Sequence, residues 1–403
     1  MTNKGKGGTR SYDVAKHMVK AGHSVHMITG IYDISGLDPM PWYHLFRKEQ
    51  MDGIDVTVCN VRYSNKLSGL RRIWSFLWFA VLATVAALRI RKPQLVFATS
   101  TPLTVGIPGC IAAALKRVPF VFEVRDIWPE SFVLSGWVSE KALSVRLMAA
   151  LESFCYKKAV KILLVSKGFE ERLIERGLDP AKLKTILLGA DGTMFENITP
   201  DETFLDKCNL RNKTIAIFTG AHGKANGLDY ILDAAELTGD RKDIAYVLIG
   251  EGSEKQKLIA AAASRGLDNV VFAEPVPKCS LPGILAVCHI GLMILKHIEG
   301  GRPVTPNKIF DYMFVGLPSI VNFRGPTDDM VKELECGLFA EGDNPRSLAE
   351  QVTTLADNPS LRQTMGHNAR KAAWERYDRR IIARQLMETF EQILQSCGGK
   401  AKK

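Results

Sequence analysis

Short apolar runs alternate with longer amphipathic segments along most of the chain. In the first half the runs are rich in β-branched and aromatic residues and are bounded by turn-forming residues, which predicts strands. These runs read HSVHMIT, IDVTVCNV, QLVFATS, PFVFEVR and VKILLVS. Helical periodicity lies between them, over residues 10–21, 69–91, 105–116, 140–158 and 167–176. Such alternation predicts a parallel, doubly wound α/β sheet.

The same alternation starts again in the second half. The strand-like runs there are KTIAIFTG, AYVLIG, NVVFAE, HIGLMIL, PSIVNF and LFAEG. Helical segments separate most of them, over residues 228–237, 253–265, 306–315 and 327–336. The sequence therefore predicts two similar Rossmann-like domains. Such sheets bind ligands at the carboxyl ends of their strands, so the natural active site is a cleft that the two domains face.

The domain boundaries follow from the patterning. We expect an N-terminal domain over residues 1–190, a weakly patterned linker over 191–211 and a C-terminal domain over 212–376. Residues 377–403 predict a helix that could cross back to the N-terminal domain, with a frayed tail. A length of 403 residues suits two large domains.

Composition narrows the class of protein. The chain is 46% hydrophobic and 24% charged, as in packed globular proteins and unlike disordered, collagen-like or disulfide-stapled ones. Its net charge of +10 suits anionic partners, such as nucleotide phosphates, nucleic acid or the cytoplasmic membrane surface. Nucleic acid is disfavoured, because the basic residues are dispersed and have no interleaved aromatics.

The cysteines and the N-terminus favour a reducing, cytoplasmic location. The eight cysteines are scattered and form no CxxC pair, so neither a zinc site nor a disulfide framework is expected. The first ten residues, MTNKGKGGTR, lack the apolar stretch of a secretory signal.

Residues 73–88 are sixteen positions without a charge, between basic flanks. A helix of this length spans about 24 Å, less than the roughly 30 Å of a hydrocarbon core, so we do not expect it to cross a bilayer. Two interpretations stay open. The helix packs on a sheet like any core helix, or it lies in the membrane interface through Trp74, Trp78 and its basic flanks.

The strongest local motif is TPNKIFDYMFVGLP, which begins at Thr305. Thr305 is suited to cap a helix that starts at Pro306, and the glycine and proline near the end of the motif stop it. The free N–H groups of a helix start bind anions, and Asn307, Lys308 and Asp311 share one face beside it. A phosphate at the helix start and a ribose diol at Asp311 fit this pattern. A capped core helix with a solvated Asp and Lys fits it equally well.

Further candidates lie near the carboxyl ends of other predicted strands. Lys296 follows HIGLMIL, and Arg302 precedes the TPNK motif; each could neutralise a pyrophosphate or be an ordinary surface cation. The loop GAHGKANG starts at Gly220 and includes Lys224, and a glycine-rich strand-to-helix turn lets backbone approach phosphate closely. Gly250 opens a GEG turn whose match to the GxGxxG pattern stops there.

The first half has candidates of its own. Gly8 lies in a glycine pair before the earliest helix, where the backbone could likewise approach a phosphate closely. The segment EVRDIWPE ends a predicted strand and gathers charge at the edge of a crevice. Asp126 in this segment could orient or deprotonate an acceptor hydroxyl, or it could cap the next turn.

Taken in order, these motifs resemble a known family. The segments are GGTRSYDVAKHMVKAGHSVHMIT, EVRDIWPES, VSKGFEERLIERG, LIGEGSEKQKL, NVVFAEPVPKCSLPGIL and PNKIFDYMFVGLPSIV. They are similar to those of retaining glycosyltransferases of family 4, in particular the bacterial branch that builds O-antigen and capsule and includes N-acetyl-L-fucosaminyl transferases. The resemblance spans nearly the whole chain. It implies a GT-B fold, a nucleotide-sugar bound mainly by the C-terminal domain, and no catalytic metal.

The resemblance also suggests residue roles. Asp311 would bind the ribose, Val276 and Pro277 would lie near the base, and Gly8 would face the diphosphate from the first domain. We assign catalysis to Asp126, Lys296 and Lys308, and donor binding to Gly8, Gly220, Lys224, Gly250, Val276, Pro277, Arg302, Thr305, Asn307 and Asp311.

The chain departs from the family pattern at several positions. Pro303 stands where the first Glu of the family's E-x7-E motif falls, and Arg125 replaces a His beside the first-domain Asp. Ala221 and Asn226 are uncharged where the family has basic residues. Only MTNKGK precedes Gly7, so we expect the first strand of the N-terminal sheet to be missing, which would leave its neighbours unpaired.

The leading hypothesis is a metal-independent, retaining glycosyltransferase that is peripheral on the cytoplasmic face of the plasma membrane. It would move a sugar, such as an N-acetylated deoxysugar, from a nucleotide-diphosphate donor, expected to be UDP-linked, to a lipid-linked oligosaccharide in surface polysaccharide synthesis. Two alternatives remain. One is a sugar-nucleotide 2-epimerase of the same fold, and the other is a non-catalytic nucleotide-sugar-binding member of an assembly complex.

Overall fold

The structure is a computed structural model, and it describes residues 9–32, 36–64, 67, 69–100, 102–130, 133, 139, 141–299 and 301–398. The chain divides into two compact units. The first consists of Met1–Leu187 together with Arg380–Lys403, and the second is Leu188–Arg379. Both are α/β structures, as the alternating sequence pattern predicts.

The first unit contains five helices and seven strands among its described residues before the second unit begins. The helices are α1 (Arg10–Lys20), α2 (Gly69–Arg89), α3 (Gly106–Lys116), α4 (Leu143–Lys158) and α5 (Lys167–Glu175). The strands are β1 (His26–Tyr32), β2 (Phe46–Met51), β3 (Ile54–Tyr63), β4 (Val96–Thr99), β5 (Phe120–Val124), β6 (Lys161–Leu164) and β7 (Leu183–Thr185).

These strands form two sheets. One has the order β1-β3-β2, with β2 antiparallel to β3, and the other is the parallel sheet β4-β5-β6-β7. No strand within the described residues joins them. The expected missing first strand would fall at residues 1–8, which lie outside the described part of the chain, so it stays a prediction.

The last helix of the chain, α14 (Arg379–Gly398), packs on the first unit. Ile382, Leu386 and Ile393 share one apolar face and lie in a core cluster with Val121 of β5 and Leu163 of β6. The last helix of the chain therefore covers one face of the sheet β4-β5-β6-β7.

The second unit is built on one six-stranded sheet, with the order β10-β9-β8-β11-β12-β13 and every described pairing parallel. Its strands are β8 (Thr214–Thr219), β9 (Ile244–Ile249), β10 (Val270–Ala273), β11 (Ile290–Met293), β12 (Ser319–Val321) and β13 (Gly337–Phe339). Its helices are α6 (Glu202–Lys207), α7 (Asp229–Leu237), α8 (Lys255–Ser264), α9 (Leu281–Leu285), α10 (Lys308–Val315), α11 (Pro326–Glu333), α12 (Pro345–Asp357) and α13 (Pro359–Ala372).

The segment predicted as a linker, residues 191–211, instead packs within the second unit. Phe195 is buried and stacks on Phe314 of α10, with ring centroids 5.0 Å apart. The backbone N–H of Asp201 donates to the carbonyl of Gly283 at 3.0 Å. These two contacts hold the segment against the second unit.

The sheet of the second unit has one switch point, between β8 and β11. The chain runs outward from β8 to β9 and β10 on one side, and from β11 to β12 and β13 on the other. Open α/β sheets bind ligands at the carboxyl ends of the strands on either side of such a point. The loops that follow β8 and β11, which hold Gly220 and Lys296, therefore lie where a ligand is expected.

Candidate functional site

Two glycine turns meet at the carboxyl ends of β8 and β9. Gly220 has a φ of +145°, which side chains rarely adopt, and a Cβ on Gly250 would overlap the carbonyl oxygen of Gly220. A Cβ on Gly252 would likewise overlap the backbone of His222. The two turns thus pack backbone to backbone, and the predicted residues Gly220 and Gly250 lie in direct contact.

Lys308, the first residue of α10, lies beside this glycine pair. Its ammonium stands 3.5 Å from the centroid of the Phe218 ring and 3.0 Å from the position of a Cβ on Gly220. No carboxylate in the described part of the chain lies within ion-pair distance of it. Burial lowers the pKa of Lys308 from 10.5 to about 7. An anion bound here would supply the missing counter-charge and raise this pKa.

Three further cations surround the same loop. The backbone N–H of Lys296 donates to the carbonyl of Ala225 at 3.0 Å, and Arg302 Nη2 donates to the carbonyl of Lys296 at 2.8 Å. Lys224 and Lys296 are exposed, whereas burial lowers the pKa of the half-buried Arg302. Within the described ranges none of the three forms an ion pair. The structure therefore gathers Lys224, Lys296, Arg302 and Lys308 around one glycine-rich turn.

The start of α10 differs from the prediction. The helix begins at Lys308 and not at Pro306, with Asn307 in the N-cap position, and Thr305 is buried in the preceding loop. Thr305 is therefore not the N-cap. The loop is held by other contacts, since Thr327 Oγ1 donates to the carbonyl of Val304 at 2.7 Å. Asn307 has helical dihedral angles and its side chain makes no cap hydrogen bond, which leaves it exposed at the helix start.

A close packing contact sets the position of α10. A Cβ on Gly291 of β11 would overlap the ring of Tyr312, so the glycine lets the helix lie directly on the strand. The backbone N–H of Thr219, at the end of β8, donates to the hydroxyl of Tyr312 at 3.0 Å. The helix is thus fixed to both strands of the switch point, and Lys308 and Asp311 are fixed with it.

Asp311 is buried in the first turn of α10 and pairs with a residue that the sequence prediction missed. Lys278 Nζ donates to Asp311 Oδ2, and Lys278 directly follows Val276 and Pro277. The ion pair therefore links the segment expected near the base to the carboxylate expected at the ribose. The position of Lys278 next to Pro277 was the available signal, but sequence alone does not show that it reaches α10.

His222 is a second residue that the sequence prediction passed over. It is fully buried, flanked by Phe218 and Phe272, and neither ring nitrogen has a hydrogen-bond partner within the part of the chain described. Burial and the nearby Lys255 lower its pKa to about 4. The imidazole is therefore neutral at pH 7, and it supports the glycine-rich turn from beneath. A polar residue between two glycines after a buried strand was the available signal.

The first unit has its own charged cluster, at the carboxyl ends of β4 and β5. Arg10 Nε donates to Glu123 Oε1 at 3.0 Å, and Arg125 Nε donates to Glu123 Oε2 at 3.0 Å. Burial alone would raise the pKa of Glu123, but Arg10 and Arg125 together lower it to about 2. Arg125 also donates to Ser11 Oγ at 2.9 Å. The half-buried Asp126 follows this cluster, so its position at a strand end is as predicted.

Two further points concern Gly8 and a metal ion. Gly8 is outside the described residues, so the structure says nothing of its role. Among the described residues, no group of three or more His, Cys, Asp or Glu side chains is arranged to hold a metal ion.

The fold and the site define an α/β protein whose second unit gathers cations and glycine turns at a sheet's switch point. Family profiles agree with this class. "Glycosyl transferase 4-like domain" matches residues 7–189 and "Glycosyl transferases group 1" matches residues 201–372. The chain therefore belongs to the glycosyltransferases that combine these two domains, and it is an enzyme of the transferase class.

Several curated relatives are named as glycosyltransferases of bacteria. The chain is 23% identical to the probable glycosyltransferase WbjE of Pseudomonas aeruginosa, over 72% of each chain. It is 22% identical to the capsular polysaccharide biosynthesis glycosyltransferase CapM of Staphylococcus aureus, over 73% of this chain and 76% of that one. It is also 22% identical to the N,N'-diacetylbacillosaminyl-diphospho-undecaprenol alpha-1,3-N-acetylgalactosaminyltransferase of Campylobacter jejuni, over 72% and 74%.

Solved structures share the fold. Sucrose-phosphate synthase from Thermosynechococcus elongatus matches with a TM-score of 0.74 at 15% identity, over 97% of this chain and 94% of that one. HepE from Anabaena, solved with UDP-glucose, matches with a TM-score of 0.66 at 18% identity, over 85% and 87%. The predicted GT-B fold class, with two Rossmann-like domains, is confirmed.

Proposed function

We propose that this glycosyltransferase moves a sugar from a nucleoside-diphosphate donor to a lipid-linked glycan in surface polysaccharide synthesis, with retention of the sugar's anomeric configuration and without a metal ion or other cofactor. The observation that carries the proposal is the set of four cations around the turn at Gly220. These cations have no carboxylate partner within the described ranges, and Lys308 lies directly against the glycine turn.

The second unit would hold the donor. Lys308, Lys296, Arg302 and Lys224 would neutralise the diphosphate, while the backbone at Gly220 and Gly250 approaches it closely. Positive charge fixed at this position also stabilises the negative charge that develops on the diphosphate as the bond to the sugar breaks. The leaving group is therefore the moiety that these residues recognise.

The rest of the donor would lie along the same edge of the sheet. Asp311 would accept hydrogen bonds from the ribose, and Val276 and Pro277 would contact the base. Asn307, exposed at the start of α10, is available to the donor sugar, and the buried Thr305 would act through the loop that carries it. HepE, which shares the fold, is solved with UDP-glucose. A UDP-linked sugar is accordingly the first donor to test.

The first unit would hold the acceptor. Asp126 at the end of β5 would orient or deprotonate the acceptor hydroxyl, and Gly8 would face the diphosphate. The Campylobacter jejuni relative is named for a diphospho-undecaprenol acceptor and the Staphylococcus aureus relative for capsule synthesis. These names support, for this chain, a glycan carried on a lipid diphosphate and destined for the cell surface.

Helix α2 supports a membrane location for this acceptor. By length and composition alone it could cross a bilayer, but one face is packed on the first unit through Phe79, Leu82 and Ala86. The opposite face is exposed and apolar, and it consists of Leu70, Ile73, Trp74, Leu77, Trp78, Val81 and Val85. A helix with one packed face and one exposed apolar face fits a peripheral position in the membrane interface.

Neighbouring helices extend this exposed apolar surface. Ile111 and Leu115 of α3 and Leu143, Leu147 and Phe154 of α4 are exposed as well, and α3 packs against both α2 and α4. Residues 69–92 contain five arginines and lysines and no acidic residue. An apolar surface with a cationic rim fits anionic lipid, so we place the protein on the inner face of the plasma membrane.

A binding screen followed by a transfer assay tests the function. Thermal unfolding is measured with UDP-, GDP- and dTDP-sugars, since a bound donor raises the melting temperature. The donor that binds is then incubated with a lipid-diphosphate-linked acceptor. We expect a glycosylated lipid whose new linkage keeps the donor's anomeric configuration. An epimerised nucleotide-sugar formed from the donor alone would instead identify a 2-epimerase.

The matched control compares two lysines of the second unit. Lys308→Met should strongly reduce the donor-induced shift in melting temperature. Lys242→Met should leave it unchanged, because Lys242 precedes β9 at the amino end of the sheet and its ammonium bonds only the carbonyl of Gly239 among the described groups. Equal shifts in the two variants would contradict the assignment of the donor to the glycine-rich turn.

A further inference from the structure

An exposed aromatic turn, residues 41–45, precedes strand β2 of the first unit. All five residues are exposed, and Trp42, Tyr43 and Leu45 are 88%, 65% and 46% exposed. The rings of Trp42 and Tyr43 meet edge to face, with their centroids 5.9 Å apart. Single exposed apolar side chains are common, but several large ones exposed together indicate a site of interaction.

Asn60 of β3 holds the aromatic turn in place. Asn60 Nδ2 donates to the carbonyls of Pro41 and His44, at 2.7 and 2.8 Å. The backbone N–H of Asn60 donates to the carbonyl of Leu45 at 2.9 Å, and the N–H of His44 donates to the carbonyl of Pro41 at 3.1 Å. The backbone of the turn is thus fixed while its rings are exposed to solvent, so a partner that covers the rings does not have to order the turn first.

Cationic side chains surround the base of the aromatic turn. Arg62 Nη2 donates to the carbonyl of Met40 at 3.3 Å, and the guanidinium carbon of Arg89 lies 4.9 Å from the centroid of the Phe46 ring. Both arginines are exposed, and neither pairs with a carboxylate in the described part of the chain. Cations outnumber carboxylates at this position, with Arg47, Lys48, Arg62 and Arg89 against Asp38 and Glu49.

An anionic phospholipid surface fits both features of the turn. Tryptophan and tyrosine are enriched at the bilayer interface, because each ring is apolar and carries one polar group that stays among the headgroups. Guanidinium groups bind phosphates through paired N–H donors. Arg89 is also the last residue of α2, so the turn lies beside the end of the helix whose exposed apolar face is proposed to contact the membrane.

We propose that the aromatic turn is a second membrane contact of the first unit. Trp42 and Tyr43 insert among the headgroups of anionic lipids, and Arg62 and Arg89 bind the lipid phosphates. This inference rests on the proposed membrane position and deepens it, because a single interfacial helix can roll about its own axis. Two separate contacts hold the first unit in one orientation on the bilayer.

Cosedimentation of the full-length protein with lipid vesicles tests the contact. The double variant Trp42→Ser, Tyr43→Ser should bind phosphatidylglycerol vesicles roughly 10-fold more weakly than the wild type, because both rings leave water on insertion. Leu237→Ser, at an exposed apolar position of the second unit, is the control and should bind like the wild type. Phosphatidylcholine vesicles, which carry no net charge, should bind the wild type more weakly than phosphatidylglycerol vesicles.

Fluorescence quenching locates Trp42 independently of binding strength. In a protein with Trp74→Phe and Trp78→Phe, which keep α2 apolar, brominated phosphatidylglycerol should quench part of the tryptophan fluorescence. Adding Trp42→Phe to this protein should remove most of that quenching, because the turn then inserts phenylalanine in place of the fluorescent ring.

The outcomes separate the aromatic turn from the proposed function. Absence of wild-type binding to either vesicle would overturn the membrane position, and this inference with it, while the transfer assay would still decide the reaction. Wild-type binding that is unchanged in Trp42→Ser, Tyr43→Ser, or quenching that is unchanged by Trp42→Phe, would overturn the aromatic turn alone. Unchanged vesicle binding with a raised acceptor KM in the double variant would also overturn it, and would identify a glycan-binding surface instead.

Discussion

Replacing Lys308 by methionine is expected to stabilise the ligand-free protein while it weakens donor binding. Burial lowers the pKa of Lys308 from 10.5 to about 7, and each pKa unit corresponds to about 1.4 kcal/mol. The protonated ammonium therefore costs the folded protein up to about 5 kcal/mol at low pH. Because part of the side chain reaches solvent, we expect the variant to gain about 2–3 kcal/mol in the free energy of unfolding.

The sign of the pH dependence follows from the lowered pKa. The cost is fully present below pH 7, where the lysine is protonated in both the folded and the unfolded chain. It disappears as the pH rises towards 10.5, where the lysine is neutral in both. The stability gain of Lys308→Met should therefore be largest near pH 6 and clearly smaller near pH 9, as measured by urea unfolding.

Donor binding should change in the opposite direction. Loss of a charged contact to the diphosphate should weaken UDP binding by roughly 10- to 100-fold at pH 7. Lys242→Met serves as the control, with unchanged stability and unchanged affinity. A Lys308→Met protein that is equally destabilised at pH 6 and pH 9, or that binds UDP like the wild type, would refute the reasoning.

Three further predictions concern other parts of the molecule. Gly250→Ala should lose about 2–4 kcal/mol of unfolding free energy and most donor binding, because its Cβ would overlap the carbonyl of Gly220. Gly239→Ala, with no such overlap, is the control, and equal urea midpoints of the two variants would contradict the packing. Glu123→Gln should lower the free energy of unfolding by about 3 kcal/mol above pH 4.5. The wild type loses this contribution as the pH falls towards the Glu123 pKa of about 2, so the difference in stability between the two proteins should shrink in acid unfolding. The double variant Trp74→Ser, Trp78→Ser should reduce cosedimentation with phosphatidylglycerol vesicles at least roughly tenfold. Leu237→Ser, at an exposed apolar position of the second unit, should not reduce it, and equal sedimentation of the two variants would exclude α2 as the membrane contact.

The central strands of the parallel sheets were predictable because they are buried on both faces. All six residues of β9 are buried, so the strand appears in the sequence as the unbroken apolar run IAYVLI. By contrast, β2 reads FRKEQM and lies at the edge of its sheet, antiparallel to β3, with one side exposed. Its polar sequence has no apolar run, and the strand was missed for that reason.

The site was predictable to the extent that it follows from strand ends. Gly220, Gly250 and Lys296 follow strands, and a parallel sheet brings strand ends to one edge. The pairing of Lys278 with Asp311 and the burial of His222 depend on contacts between elements far apart in sequence. Local periodicity does not indicate such contacts, so the roles of these residues could be identified only from the folded structure.

Calorimetric titration of the full-length protein with UDP-, GDP- and dTDP-sugars tests the central claim most directly. The account predicts that a nucleotide-sugar binds the wild type and binds Lys308→Met roughly 10- to 100-fold more weakly. It also predicts that Lys242→Met binds like the wild type. Binding of no nucleotide-sugar to the wild type, or equal affinity in the wild type and Lys308→Met, would contradict the account.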